Sequence, residues 1–257
     1  MIPAIDEGSG PVVLLLHAFP CDHTMWSGQV DRLVAAGFRT LVPDLPGFGA
    51  EELPREQPNL DVVVSDLVSM LDQMQVKECI VGGLSLGGYV AMALLRRAPE
   101  RVSSLILVDT KATADPPAAV TNRLAVADRA EAEESTDFLV AAMIPGLLGE
   151  TTRARRPEVV EQAKNWIRGA APASVAWYQR AMAQRPDSLP DLARFQRPAA
   201  VIYGAEDTVL SPSGEQETMA GALPKSILIR IPEAGHLSAV ERPVAVAEAI
   251  EQFLNSQ

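Results

Sequence analysis

Residues 79–95 read CIVGGLSLGGYVAMALL, in which two apolar runs flank a glycine-rich segment. The first run has the continuous apolar composition of a strand that is buried on both faces. The second run is predicted to form a helix. Between them, the pattern Gly83-x-Ser85-x-Gly87 indicates a sharp strand-to-helix turn, which exposes a serine hydroxyl at the edge of a sheet. We therefore interpret Ser85 as a candidate nucleophile.

The same alternation of strands and helices continues on both sides of this turn. Short apolar runs that predict buried strands lie at residues 12–16, 40–42, 79–81, 105–108, 200–202 and 227–229. Patterns that predict helices occupy residues 25–36, 60–74, 85–97 and 244–253. Strands and helices that alternate in this way predict an α/β fold with a doubly wound, mostly parallel sheet.

One long segment interrupts this alternation. Residues 111–187 contain no convincing strand pattern and are rich in alanine, arginine and glutamate, which predicts several helices inserted between two strands. A long insertion of this kind lies over the ligand crevice at the carboxyl edge of an open α/β sheet. The predicted organisation is a core domain of residues 1–110 and 188–257 with a helical cap of residues 111–187.

The composition narrows the classes of partner. The 257 residues carry a net charge of −11, which disfavours nucleic acid and anionic membrane surfaces, since binding either needs a basic patch. No apolar run approaches the roughly 20 residues of a membrane helix, and the first ten residues lack the basic region of a signal peptide. The two cysteines, Cys21 and Cys79, favour a reducing compartment over a disulfide framework. We predict a cytoplasmic protein with a small-molecule partner, and the oligomeric state stays open.

A serine nucleophile needs a general base within hydrogen-bonding reach. The chain has three histidines, His17, His23 and His236. For a serine on a turn of this type the chain order is serine, acid, histidine, and only His236 follows Ser85. His236 also comes shortly after the predicted strand at residues 227–229, at the carboxyl edge of the sheet. We predict that His236 is the base and that activity rises with pH through its pKa, at about 6.5 unless the pocket shifts it.

Two aspartates compete for the role of the acid that orients the base. Asp207 follows the predicted strand at residues 200–202 in a glycine-containing turn, and Asp109 follows the strand at residues 105–108. Asp207 is favoured because its strand is the next one before the histidine strand. Asp109 is the alternative, and it would otherwise cap the strand end or the hinge of the cap. Glu206, beside Asp207, is a further alternative.

The strand at residues 12–16 runs into the sequence HAFP at residues 17–20, which predicts part of an oxyanion hole. In such a site one backbone N–H comes from the residue after the nucleophile, here Leu86, and another comes from an earlier loop. Phe19 is the predicted second donor, because the proline that follows it has no N–H. His17 is in the wrong chain order for a base, and we predict that it braces the loop.

Together these residues resemble the α/β-hydrolase superfamily over nearly the whole chain. The matching motifs, besides the nucleophile turn, are HAFP at residues 17–20, DLPGFG at 44–49, GAED at 204–207 and the Gly-His pair at 235–236. The resemblance is greatest to small esterases and to 3-oxoadipate enol-lactonases. Ala18 stands where the family usually has glycine, so a positive φ there would strain the loop. The family's first antiparallel strands must be short or missing here.

The resemblance and the candidate residues imply acyl transfer to water through an acyl-enzyme, with no metal or organic cofactor. We predict a serine hydrolase that cleaves a carboxylic ester or lactone of a small, apolar substrate. A carbon–carbon bond hydrolase and a cofactor-free perhydrolase use the same three residues and stay open. An aspartate-nucleophile dehalogenase is disfavoured because position 85 is serine. A receptor that kept the fold and lost turnover is the alternative from another class.

Apolar residues near the predicted loops and in the cap are candidates for the substrate pocket. The predicted substrate-binding residues are Trp26, Met143, Ile144 and Trp177, with core packing as the alternative for each. The charged run at residues 153–158 is predicted to be a solvated face rather than a carboxylate site. An anionic lactone would need an arginine inside the pocket.

Overall fold

The computed structural model describes residues 3–210 and 214–256. In this part of the chain seven strands form one sheet: β1 (Pro3–Glu7), β2 (Val12–Leu16), β3 (Arg39–Pro43), β4 (Cys79–Leu84), β5 (Val102–Val108), β6 (Ala199–Gly204) and β7 (Ser226–Ile231). Their spatial order is β1-β3-β2-β4-β5-β6-β7. β1 pairs antiparallel with β3, and the other pairings are parallel.

Helices pack around this sheet, and short 3₁₀ turns lie at His23–Trp26 and Pro99–Arg101. The described helices are α1 (Ser27–Ala35), α2 (Leu60–Gln73), α3 (Leu86–Arg97), α4 (Pro117–Glu133), α5 (Asp137–Leu147), α6 (Glu150–Arg155), α7 (Pro157–Gly169), α8 (Pro172–Ala183), α9 (Leu189–Arg194), α10 (Glu215–Ala222), α11 (Ser238–Glu241) and α12 (Pro243–Asn255). Within the described ranges, no helix combines the length and the apolar character that a membrane crossing requires.

The doubly wound, mostly parallel sheet confirms the predicted fold class. Each of the six predicted apolar runs falls within one of the strands β2 to β7. The additional strand, β1, is the short antiparallel edge strand that the resemblance allowed. The helix predicted from residue 25 begins instead at Ser27, because the preceding residues form a tighter 3₁₀ turn. Asp22 caps that turn, since its carboxylate accepts a hydrogen bond from the Thr24 N–H.

The continuous apolar runs reflect burial on both faces of the central strands. Every residue of β4 is buried, and so are the first ten residues of α3, which follows it. Helices cover both faces of a parallel sheet, so its inner strands need no polar side. β7, at the edge, differs, because Ile227 and Leu228 remain partly exposed there.

The chain between β5 and β6 is helical in the structure. Six helices, α4 to α9, lie there, and none of the residues 109–198, all of which the structure describes, is in a strand. α4 packs along α8 and α5 packs against α7, while α9 packs against α3 and α10 of the core. Helices α4 to α8 therefore form the cap, and the chain has returned to the core by α9.

The parallel direction of the strands brings four of their carboxyl ends to the same edge of the sheet. Ser85 directly follows β4, and Asp109 directly follows β5. Asp207 lies in the loop after β6, and His236 lies in the loop after β7. Residues that are up to 151 positions apart in sequence can therefore meet at this edge.

Candidate active site

The turn that carries Ser85 has a backbone conformation that only tight packing can hold. Ser85 has φ 52° and ψ −108°, in the left-handed half of conformational space. A Cβ at Gly83 would lie 2.2 Å from the carbonyl carbon of Gly87, and one at Gly87 would lie 2.1 Å from the carbonyl oxygen of Leu16. Both positions therefore require glycine. The Thr110 hydroxyl donates a hydrogen bond of 2.8 Å to the Ser85 carbonyl oxygen and braces the turn.

Ser85, His236 and Asp207 form a continuous hydrogen-bonded chain. The Nε2 atom of His236 lies 2.8 Å from Ser85 Oγ, and its Nδ1 lies 2.8 Å from Asp207 Oδ2. A carboxylate can only accept, so Nδ1–H donates to Asp207 and leaves Nε2 free to accept the serine proton. The other carboxylate oxygen of Asp207 accepts from the N–H groups of Val209 (2.7 Å) and Leu210 (3.1 Å). Asp207 is thereby locked in the orientation that selects this tautomer.

Two opposing effects act on the pKa of His236. Burial by itself would lower it, because the imidazolium loses hydration, but the negative charge of Asp207 and the hydrogen bond to it outweigh that effect and raise the pKa above 6.5. For Asp207, burial would raise the pKa, but His236 and two backbone N–H donors outweigh it and lower the pKa. The contact between His236 and Asp207 therefore favours the ionised form of the Asp207 carboxylate.

The raised pKa of His236 predicts where activity is lost in acid. Only the neutral imidazole can accept the serine proton, so kcat/KM should rise with pH and reach half its plateau above pH 6.5. At pH 6.5 more than half of His236 is then protonated, and kcat/KM should be less than half of the plateau. Initial rates between pH 5 and about 9 at constant ionic strength measure this. A midpoint at or below 6.5 would show that the carboxylates do not outweigh burial.

Asp109, the alternative acid, has a different set of partners. Its carboxylate accepts hydrogen bonds from the N–H of Gly204 at 2.7 Å and the N–H of Ser238 at 3.1 Å. Burial, with the charge of Asp207, raises the pKa of Asp109 to about 8. Asp109 therefore ties the end of β6 to the loop after His236, and it has φ 41° at the end of β5.

Two glutamates connect the cap to the loops of the hydrogen-bonded chain. Glu206, the further alternative for the acid, instead accepts from the N–H and the hydroxyl of Thr151 at the start of α6. Glu241 is fully buried and accepts from the N–H groups of Gly149, Gly235 and Leu237. Sequence reasoning missed Glu241, because nothing near it in sequence distinguishes it from a surface glutamate.

The predicted oxyanion donors are available for a ligand. Within the described residues no hydrogen bond uses the N–H of Phe19, or that of Leu86, which is the first residue of α3. Ala18 has no positive φ, so the expected strain from alanine at this position is absent. His17 accepts from the Leu45 N–H at Nε2 (2.9 Å) and donates from Nδ1 to the Ala18 carbonyl oxygen (2.9 Å). His17 therefore braces the loop against residues 44–49, as predicted.

A cavity of about 240 Å³ lies beside Ser85 and His236. It is mostly apolar, as ligand sites usually are, with a few polar groups among the apolar ones. Its lining residues come from the core loops, from α3 and from three cap helices, and they are Phe19, Ser85, Tyr89, Arg123, Ala142, Met143, Gly146, Leu147, Gln179, Met182, Val209, Leu210 and His236.

Of the four predicted substrate-binding residues, only Met143 lines this cavity. Trp26 is fully buried in the core. The α5 residues that line the cavity, Ala142, Met143, Gly146 and Leu147, share one face of the helix, and Ile144 lies outside that face. Trp177 packs on Tyr178 with ring centroids 4.9 Å apart and donates from Nε1 to the Glu56 carbonyl oxygen at 3.0 Å. Trp26, Ile144 and Trp177 therefore do not line the cavity beside Ser85, and for Trp26 and Trp177 the alternative of packing fits better.

The arginines of the cap fall into two groups, one outside the cavity and one that lines it. Arg153 and Arg155 are exposed, and Arg156 binds the Glu241 carbonyl oxygen, so this charged run does not line the cavity. Arg123 of α4 does line it, together with Gln179 of α8. Sequence reasoning missed both, because the inward face of a cap helix depends on how the cap is placed. No group of three or more His, Cys, Asp or Glu residues within the described ranges could hold a metal ion.

Comparison with known proteins places this geometry among enzymes. A solved structure of a thermophilic esterase from Thermogutta terrifontis, with malate bound, is 39% identical, with a TM-score of 0.92 over 98% of this chain and 92% of that chain. The putative non-heme bromoperoxidase BpoC of Mycobacterium tuberculosis is 29% identical over 98% of this chain and 96% of that protein. The 3-oxoadipate enol-lactonase 2 of Acinetobacter baylyi is 25% identical over 96% and 90%, respectively.

A family model described as the alpha/beta hydrolase fold matches residues 11–243. The matched range includes the strand-to-helix turn at Ser85, both acid candidates and His236. With the sheet order and the helical insertion, this match confirms the resemblance inferred from the motifs. The chain is a member of the alpha/beta hydrolase fold family, and its relatives identify it as a hydrolase.

Proposed function

We propose that this hydrolase cleaves a carboxylic ester of a small substrate, with Ser85 as nucleophile, His236 as general base and Asp207 as the orienting acid. The observation that carries this proposal is the pair of 2.8 Å hydrogen bonds that link the three residues beside a cavity. A receptor without turnover has no need for a serine held by a neutral imidazole in this tautomer, so the arrangement favours an enzyme.

The reaction follows from the placement of the protons. Neutral His236 accepts the proton of Ser85 Oγ while that oxygen attacks the ester carbonyl. The N–H groups of Phe19 and Leu86 then stabilise the oxyanion, and each such donor contributes about 3–4 kcal/mol in comparable sites. His236 passes the proton to the departing alcohol, which leaves an acyl-enzyme. Water, activated by the same imidazole, releases the acid and restores Ser85.

The size and lining of the cavity support a small substrate. A volume of about 240 Å³ lies below the roughly 300–1,000 Å³ of sites for drug-sized ligands. The relatives named as an esterase and as an enol-lactonase support a carboxylic ester or lactone. Since the chain offers its own nucleophile, base and oxyanion donors, the proposed reaction uses no cofactor.

Perhydrolysis is a second candidate, which the relative named as a putative bromoperoxidase supports. Hydrogen peroxide would then replace water in attacking the acyl-enzyme, and the product would be a peracid. Both reactions share every step up to the acyl-enzyme and differ in whether water or hydrogen peroxide attacks it. Carbon–carbon bond hydrolysis stays a prediction from the sequence alone.

Turnover of p-nitrophenyl esters tests the proposal. Acetate and butyrate esters should be hydrolysed faster than the octanoate ester, because the cavity is small, and the first turnover should release a burst of p-nitrophenol if the acyl-enzyme accumulates. Added hydrogen peroxide with a peracid assay separates the second candidate. Failure to release p-nitrophenol from all three esters, together with failure of a fluorophosphonate to label Ser85, would contradict the proposal.

The expected partner of the protein is the small-molecule substrate itself. The net charge of −11 supports the view that neither nucleic acid nor an anionic membrane is a main partner. The cytoplasmic location stays a prediction from the sequence.

A further inference from the structure

The cap side of the cavity carries one charged side chain, Arg123. It extends from α4, and its neighbour in the cavity lining, Gln179, extends from α8, whereas Ser85 and His236 lie on core loops. The wall that these cap helices contribute is otherwise apolar. A single charged group in such a wall usually fixes the orientation of a ligand.

The hydrogen bonds of these two side chains leave donors unused. Arg123 Nη1 donates to Gln179 Oε1 at 3.2 Å and contacts Met182 Sδ at 3.5 Å, while Nε donates to Asp115. A guanidinium has only donors, so Gln179 must present its oxygen to Arg123 and its NH₂ group elsewhere. Neither that NH₂ group nor Arg123 Nη2 donates to any residue of the described ranges. The cavity therefore has two nitrogen groups suited to an acceptor.

The charges around Arg123 also leave an excess of positive charge. Asp115 is almost completely buried and pairs with Lys111 at 2.8 Å, with Arg123 and with Arg185 at 2.9 Å. Burial would raise the pKa of Asp115, but these three cations outweigh it and hold the pKa at about 2. One carboxylate thus faces three cations.

Other acids near this cluster do not remove the excess. Glu215 is linked to it only through the Thr113 hydroxyl, and counting it still leaves one positive charge. Asp128 and Glu131, on α4, pair instead with Arg180 at the exposed side of the cap, where solvent screens them.

We propose that the substrate carries a carboxylate, which Arg123 and Gln179 bind on the cap side of the cavity while Ser85 attacks the ester group. This inference rests on the proposed ester hydrolysis and names its substrate class. A guanidinium is well suited to a carboxylate, because the N–H fork matches the two oxygens. A monoanion also matches an excess of one positive charge. The apolar side chains of Met143, Leu147 and Met182 then cover the carbon chain between the two polar ends.

Paired substrates test this directly. The monomethyl esters of succinate, glutarate and adipate carry the charge in the acyl part, and their terminal amides are neutral substrates of the same length. The acetate esters of glycolate and 3-hydroxypropionate, with their amides, carry it in the alcohol part. For the wild type, kcat/KM should favour the anionic member of at least one series by roughly 10- to 100-fold. The better series shows which part of the substrate carries the carboxylate.

Variants of Arg123 test the assigned residue. R123Q should lower the ratio of kcat/KM between anionic and neutral substrates by about 10-fold or more, mostly through KM, and R123K should retain part of that ratio. Arg129→Gln is the matched control, since Arg129 lies on the same helix and its exposed side chain pairs with Glu133. The control should leave both substrates and their ratio unchanged.

Inhibition of the wild type provides a measurement that does not depend on the folding of a variant. With p-nitrophenyl acetate as substrate, glutarate or adipate should inhibit at a concentration at least about tenfold lower than the corresponding diamide. Equal inhibition and equal kcat/KM within every pair would overturn the carboxylate site while leaving ester hydrolysis intact. A ratio unchanged in folded R123Q would overturn the role of Arg123. Failure of every ester, with Ser85 unlabelled by fluorophosphonate, would overturn both proposals.

Discussion

Substitution of Ser85 by alanine should lower kcat for p-nitrophenyl butyrate by roughly 10⁶-fold, as removal of the nucleophile does in other serine hydrolases. The variant loses the attacking oxygen, and no neighbouring side chain in the hydrogen-bonded chain can replace it. Ser85 Oγ has His236 as its hydrogen-bond partner, and the Leu86 N–H does not depend on the side chain at 85. Folding and the oxyanion donors should therefore survive.

The measurement is kcat for wild type and S85A, purified separately to exclude carry-over. The backbone at residue 85 is in the left-handed region, which is equally unfavourable for serine and for alanine. The free energy of unfolding should therefore change little in S85A. Thermal unfolding of the two proteins provides that control. A loss of kcat smaller than about tenfold would mean that Ser85 is not the nucleophile for this ester.

Asp207→Asn should lower kcat by about 10⁴-fold, the loss that the same change causes in another triad. Asparagine can direct its NH₂ group at His236 Nδ1, which then becomes an acceptor. The proton moves to Nε2, and Nε2 can no longer accept from Ser85. The Val209 and Leu210 N–H groups favour this orientation, because they require an acceptor at the other terminal atom of residue 207.

Asp109→Asn is the matched control for this prediction. Asp109 binds the N–H groups of Gly204 and Ser238 rather than the imidazole, so its loss should lower kcat far less. In D207N the residual activity should also reach its half-maximum at a lower pH, since Asp207 contributes to the raised pKa of His236. A greater loss in D109N than in D207N would identify Asp109 as the functional acid.

The candidate residues could be predicted because each follows a strand that is recognisable from local sequence. Ser85 lies between Gly83 and Gly87, and the structure explains why both positions are glycine. A Cβ at either one would overlap backbone atoms. His236 is the one histidine after Ser85 in the chain. Parallel strands end at one edge, so these local signals were sufficient to predict a shared site.

Local sequence patterns could not decide between Asp207 and Asp109 as the acid. Both aspartates follow strands, and both lie at the same edge of the sheet. Asp207 was favoured because its strand directly precedes the histidine strand, and the distances agree, since its carboxylate lies 2.8 Å from the imidazole while Asp109 binds two backbone N–H groups. Whether Ala18 strains the oxyanion loop could not be predicted from the sequence either. The strain depends on the sign of φ at residue 18, which only the folded loop shows.

The sequence by itself determined the sheet, the helical insertion, Ser85 and His236, and it favoured Asp207, because strands, helices and turns depend on short-range patterns. The tertiary structure alone decided the lining of the cavity. Trp26 and Trp177 are buried elsewhere. Arg123 and Gln179 are 56 positions apart in sequence, and their side chains meet because the two cap helices that carry them pack together. The inward face of each helix is set by how the helices pack against one another and against the core, and no local pattern encodes that choice.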